Sequence, residues 1–132
     1  MSNLTYAITT TSSSVASDSN IPLTTLARKS KCSNIGLINN ALVFTAPGYY
    51  RISGTVTFTA EAGIFTLNVL KNGSAVPGIT ASLTTVADTT YTIPINGIIR
   101  VYCGEQPTTI LLQNAGVAIT ITNVSIETEY LQ

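Results

Sequence analysis

An all-β fold, an antiparallel sandwich or barrel, is what this chain predicts, and three observations carry the prediction. Of its 132 residues, 22 are Thr, 15 Ile and 9 Val, and such β-branched side chains are stiff at χ1 and sit best on a pleated surface. The chain divides into short segments of alternating apolar and polar residues between Gly, Pro and Asn clusters, the pattern of half-buried strands joined by turns. No stretch shows the 3.6-residue period of an amphipathic helix. A length of 132 residues suffices for one domain with a sizeable core and is too short for two conventional ones.

Residues 1–20 are dominated by Thr, Ser and Asn and include the run TTTSSSVASDSN. With few large apolar groups after Ile8, the segment buries too little surface to offset the entropy of ordering it. It is expected to be a flexible or extended N-terminal arm. Leu4, Tyr6 and Ile8 alternate along it like one apolar face of a strand, which suits attachment to the edge of a partner's sheet. The folded domain is expected over residues 21–132, beginning at Ile21-Pro22-Leu23.

The clearest strand is Tyr49–Ala60, where Tyr50, Ile52, Val56 and Phe58 share one face and Tyr49, Arg51, Ser53, Thr55, Thr57 and Thr59 the other. Ala46-Pro47-Gly48 supplies the turn before it and Glu61-Ala62-Gly63 the turn after it. Ile64–Leu70 follows, closed by Lys71-Asn72-Gly73-Ser74, whose Asn-Gly pair tolerates the positive φ of a tight hairpin. Further strands are expected at 89–95, 98–103, 109–113, 117–121 and 124–131, separated by Asn96-Gly97, Gly104-Glu105-Gln106-Pro107, Asn114-Ala115-Gly116 and Thr122-Asn123. Apolar parity flips between Ile121 and Val124, so a turn or bulge is expected at Asn123.

Composition excludes several functions. Six basic and six acidic residues give no net charge, and only 9% of residues are charged, against about 25% in ordinary soluble domains; nucleic acid is not an expected partner. The absence of His removes Ser-His and Cys-His hydrolase arrangements and imidazole metal sites. No apolar run approaches the roughly 18 residues of a membrane helix. Residues 1–19 show no basic segment followed by an apolar run, so no secretory signal is expected. Cys32 and Cys103 form no CxxC pair and are expected to be free, partly buried thiols in a reducing cytoplasm. Asn3-Leu4-Thr5 and Asn123-Val124-Ser125 match the glycosylation pattern by chance.

From Ile21 onward, four blocks in order resemble the jelly-roll head of the tumour necrosis factor ligands and complement globular heads. Ala46-Pro47-Gly48-Tyr49-Tyr50 is similar to the family's Pro-Gly-aromatic strand, and LNVLKNGSAVPG (67–78) to its apolar strand ending in Lys-Asn-Gly. GIIRVYCGE (97–105) resembles the strand ending in Gly-Asp, with Glu105 in place of Asp, and ITNVSIETEYL (121–131) resembles the closing strand. The blocks IPLTT, PGYY, NGSAVPG, IIRVYC and TNVSI further resemble small proteins of this fold in Firmicutes and their bacteriophages.

The resemblance implies an all-β antiparallel jelly-roll sandwich of the tumour necrosis factor-like type, a homotrimer with one sheet of each copy around the threefold axis, and binding of proteins without catalysis. No Gly-X-Y repeat is present, which favours a virion protein over a stalked spore-surface tip. The acidic residues Asp18, Glu61, Asp88, Glu105, Glu127 and Glu129 are dispersed, so no metal and no cofactor is expected.

Tyr49, Arg51, Arg100, Tyr102, Glu127 and Glu129 are candidate trimer-interface residues, with the four charges forming a ladder on the axial face. Tyr130 shares parity with the core residues Val124 and Ile126, and Cys103 is expected to be buried at a strand end. The functional expectation is a bacteriophage capsid decoration or head-fibre protein, made in the bacterial host cytoplasm, displayed on the virion surface and bound to itself and a virion protein. The alternative is a receptor-binding tip of a phage tail or spore-surface filament, recognising a host surface ligand. A sugar-active enzyme would need a carboxylate pair about 5–9.5 Å apart in a cleft, and Glu127 with Glu129 on a flat strand face offers none.

Overall fold

The computed structural model describes residues 4–29, 34–105 and 107–132, with the backbone alone for Leu4 and Lys29. Among the described residues there are strands and no helix, hence none long and apolar enough to cross a membrane. In chain order the strands are β1 (Leu4–Thr9), β2 (Ser13–Val15), β3 (Ser19–Ile21), β4 (Thr25–Lys29), β5 (Ile35–Ile38) and β6 (Ala41–Phe44). The longer ones follow: β7 (Gly48–Ala60), β8 (Gly63–Lys71), β9 (Ser74–Thr85), β10 (Thr90–Val101), β11 (Thr108–Asn114) and β12 (Ile119–Tyr130). Two antiparallel sheets result. The first has the order β10-β7-β12-β1-β4 with β2 also on β12; the second has the order β5-β6-β11-β8-β9 with β3 also on β11. This is the jelly-roll sandwich that the sequence blocks imply.

The core lies between the sheets. Tyr50, Ile52, Val56 and Phe58 of β7 are all fully buried, as their shared parity requires, and each buried side chain of this size contributes roughly 1.5–3 kcal/mol. Opposite them stand Phe44, Phe65, Leu67, Val69, Ile110 and Leu112 of the second sheet. Phe58 and Phe65 meet at 4.4 Å between ring centroids, and Phe44 meets Tyr50 edge-on at 4.7 Å. The Tyr50 hydroxyl donates to Ala46 O at 2.7 Å and anchors the turn before β7. Burial, with Tyr130 adding to it, raises the Tyr50 phenol above its ordinary pKa.

Turn chemistry held at one Asn-Gly pair and failed at the other. Asn72 and Gly73 both adopt positive φ (50° and 88°) between the paired residues Lys71 and Ser74, the two-residue turn whose twist matches its strands. Asn39 and Asn40 close β5–β6 in the same way. Asn96-Gly97 instead runs straight through β10, so the expected strands 89–95 and 98–103 are one. A side chain at Gly97 would strike Ile79 of β9; this glycine permits close packing and does not turn the chain. Strands 117–121 and 124–131 likewise merge into β12 through a bulge between Ile121 and Asn123, which flips the parity as anticipated. Strand β9 carries Val76-Pro77-Gly78 and escapes the period-2 pattern because its register shifts opposite Asn68–Leu70.

The N-terminal arm requires correction. β1 lies inside the first sheet, paired to β12 on one side and β4 on the other, and β2 and β3 pair with β12 and β11. Residue 21 is therefore no boundary of the sandwich. The inward residues of β1 are Thr5, Ala7 and Thr9, each at most 2% exposed; small inward side chains disguise a central strand as a polar arm. The Thr9 hydroxyl donates to Pro22 O at 2.7 Å, which removes the cost of burying it.

A buried amide ties this segment to the rest. Asn114 is fully buried, and its Nδ2 donates to Val117 O at 2.9 Å and to Val15 O and Ala16 O at 3.3 Å each. Its Oδ1 accepts from the Gly116 amide at 3.0 Å. One side chain thus joins the β11–β12 connection to the β2–β3 turn.

Candidate functional site

One face of the first sheet packs on the core and the other is open. Because directly opposed residues share a face, the register sets the open side in rows. Glu129, Arg51 and Ile98 form one row across β12, β7 and β10. Tyr6, Glu127, Ser53 and Asn96 form the next, with Arg28 of β4 beside Tyr6. Ile8, Ser125, Thr55 and Pro94 follow, then Asn123, Thr57 and Thr92. On the other side of the first row Tyr49 opposes Arg100, and Tyr102 continues the outward parity of β10.

The face has two chemical halves. Hydroxyls dominate one, beside Ile8, Pro94 and Asn123: Thr55 bonds Ser125 at 3.3 Å and Thr57 bonds Thr92 at 3.1 Å. Aromatic, aliphatic and charged groups fill the other, with Tyr6, Tyr49, Ile98 and Tyr102 all exposed. Every arginine of the chain, Arg28, Arg51 and Arg100, belongs to this face.

All six predicted interface residues come together here, but their charges do not form the expected four-membered ladder. Arg51 Nη1 lies 3.4 Å from Glu129 Oε1, with about half of the arginine side chain exposed, so the pair is worth less than about 1 kcal/mol in one chain. Arg100 is in register with Tyr49 and Glu127 with Ser53. Four residues of strand, on the order of 13 Å, and two strand spacings separate them, too far for an ion pair. Arg100 stacks instead: its Cζ is 4.4 Å from the Tyr102 ring centroid and 5.2 Å from that of Tyr49.

The turn after β10 fixes Tyr102. The Tyr102 amide donates to Glu105 Oε1 at 2.9 Å, and the Glu105 amide returns a bond to Tyr102 O at 3.1 Å. Lys71 Nζ reaches Glu105 Oε1 at 3.0 Å and donates to Arg100 O at 2.5 Å. The Tyr102 amide first, then Lys71, hold the Glu105 carboxyl below its ordinary pKa. Cys103 in this turn is an exposed free thiol and not a buried one, because the chain has already left the sheet. Cys32 lies outside the described residues, as do Asn3 and the Leu4 side chain. Tyr130 turns inward as expected and packs edge-on against Tyr50 at 5.4 Å.

No group of three or more Cys, Asp or Glu converges on a metal position among the described residues. A depression of about 460 Å³ is lined mostly by small residues, with Val15 and Ile119 and the carboxylates Glu61 and Asp88. Glu127 and Glu129 stand on the open sheet and do not line it.

Comparison with solved structures identifies the fold. The Eiger TNF of S. frugiperda superposes with a TM-score of 0.78 at 9% identity, covering 100% of this chain and 92% of the other. The globular domain of zebrafish complement 1qA gives 0.70 at 5% identity over 98% and 96%. PRD1 vertex protein P5 gives 0.63 at 14% identity over 97% and 95%. The fold is thus a jelly roll similar to those of the tumour necrosis factor ligands and complement heads. No family model and no curated protein matches the chain by sequence, so the likeness to small Firmicutes and phage proteins rests on the sequence blocks alone.

Sequence reasoning assigned Tyr6 and Ile8 to an arm and passed over Arg28 and Ile98, although all four lie on this face. The Tyr6 and Ile8 alternation was legible; which sheet received it was not.

Proposed function

We propose that this chain is a non-enzymatic structural protein of a bacteriophage virion, assembled as a homotrimer and displayed on the capsid as a decoration or head-fibre protein. The observation that carries the reading is the open face of the first sheet, where Tyr6, Tyr49, Ile98 and Tyr102 stand exposed beside three arginines. Aromatic residues and arginine are the groups enriched in protein interfaces. A contiguous patch of them on a chain with only 9% charged residues calls for a covering partner. A second copy suits it, because rotational symmetry closes a ring with one repeated contact. The likeness to a vertex protein of PRD1 supports a place on the particle, with a capsid or other virion protein as second partner.

Mass photometry of the purified chain is expected to give three copies, and quantitative mass spectrometry of particles hundreds of copies. A stable monomer at micromolar concentration overturns the trimer. A few copies per particle would favour the alternative role, a receptor-binding tip of a tail or spore-surface filament with a host surface ligand. Reversing Arg51 to Glu tests the axial placement: its exposed pair with Glu129 predicts little effect on the single chain, whereas shielding at an axis predicts a weakened trimer.

A further inference from the structure

Of the six predicted interface residues, Arg100 and Glu127 are the two ionic groups without an ion pair in the single chain, and Arg28, two strands from Glu127 at the edge of the face, is a third on the same side. Among the described residues the only ion pairs are Arg51–Glu129 and Lys71–Glu105. Neither Arg100 nor Glu127 can be satisfied by the other in one chain, being separated by two strand spacings and four residues of register.

Arg100 is also held in an unusual way. Tyr49 stands on its cross-strand side and Tyr102 follows it in the chain, and both rings lie within cation–π range. Tyr102 is in turn fixed by Glu105, and Lys71 lies 5.0 Å from its ring centroid while bonding the Arg100 carbonyl. Both rings lie against the guanidinium, and among the described residues no ion pair takes up its N–H edges. Such an edge matches the two oxygens of a carboxylate, and stacking lowers the entropy lost on binding it.

We infer that Arg100 of one copy receives Glu127 of a neighbouring copy, so that this charge pair sets the register of the assembly. The occupant is a second copy because the complementary carboxylate is on the same face, exposed, between Tyr6 and Ser53. In a ring each copy then gives one arginine and takes one glutamate, so every interface carries the same pair. The inference rests on the trimer reading above and adds to it the pair that selects one docking angle among those the aromatic patch permits.

Charge exchange tests it. Sedimentation velocity over a dilution series would compare the native chain with Arg100→Glu, Glu127→Arg and the double exchange. Each single reversal is expected to raise the dissociation constant at least tenfold by setting like charges together, and the double exchange to bring it back within about threefold of native. Circular dichroism of each variant separates dissociation from unfolding, and Arg100→Gln with Glu127→Gln, which remove charge without repulsion, provide milder versions should a reversal not fold. A double exchange as weak as the singles overturns the pairing, as do single reversals that leave a native-strength trimer; both leave the trimer itself standing. A monomeric native chain removes the trimer reading and the pairing with it.

Discussion

Replacing Asn114 by Ala removes a side chain that joins the β11–β12 connection to the β2–β3 turn. Four hydrogen bonds go with it: those to Val117 O at 2.9 Å and from the Gly116 amide at 3.0 Å, and the two longer ones to Val15 O and Ala16 O at 3.3 Å. At roughly 1 kcal/mol net for each good bond and less for the longer pair, the loss is about 3–4 kcal/mol. The Asn114 side chain is fully buried, so water reaches the stranded groups poorly and the larger figure applies. Against a total stability of about 5–15 kcal/mol the change is large, and it corresponds to a melting point lower by roughly 10–15 °C. Urea unfolding followed by tyrosine fluorescence measures it, since the chain has six Tyr and no Trp. Both proteins must be compared at one concentration, because assembly adds its own contribution to the midpoint. A loss below about 1 kcal/mol would refute the reasoning and mean that the amide is dispensable to the clasp.

Three further outcomes follow from the same geometry. Gly97→Ala should destabilise by about 1–3 kcal/mol by overpacking against Ile79, and adding Ile79→Ala should recover part of that loss in thermal melting; no recovery would place the strain elsewhere. Thr128 is fully buried, and its Oγ1 has no hydrogen-bond partner among the described residues, so Thr128→Val should be neutral or stabilising by about 1–2 kcal/mol, whereas a clear loss in urea unfolding would reveal a partner. The Glu105 pKa is lowered in the folded chain, so its contribution is present above the unfolded value and lost as pH falls through the folded one. Protection of the Tyr102 amide from exchange, taken relative to its intrinsic rate at each pH, should therefore fall below the ordinary carboxylate range in the native chain, and Glu105→Gln should abolish that pH step.

The sequence by itself determined the fold class, the core face of β7 and the hairpin at Asn72-Gly73, because each is written in local chemistry. Side chains alternate with period two on any strand, and an Asn-Gly pair accepts positive φ wherever it stands. Parity also put Tyr49 with Arg51, Arg100 with Tyr102 and Glu127 with Glu129 on the outward sides of their strands, while the expectation that these strands share one sheet came from the family resemblance. Only the tertiary structure decided what those faces meet. β1 reads as a polar arm because its inward residues are Thr5, Ala7 and Thr9, small groups that become a sheet centre only when β12 and β4 flank them. Asn96-Gly97 has the residues of a turn, yet the approach of Ile79 from β9 fixes it as strand. Asn114 looks like loop punctuation until Val15 and Ala16, far away in the chain, bring their carbonyls to its amide. The four-charge ladder failed on the same ground: parity gives the face of a side chain, but its neighbours depend on register, and register is fixed by the packing of the whole sheet.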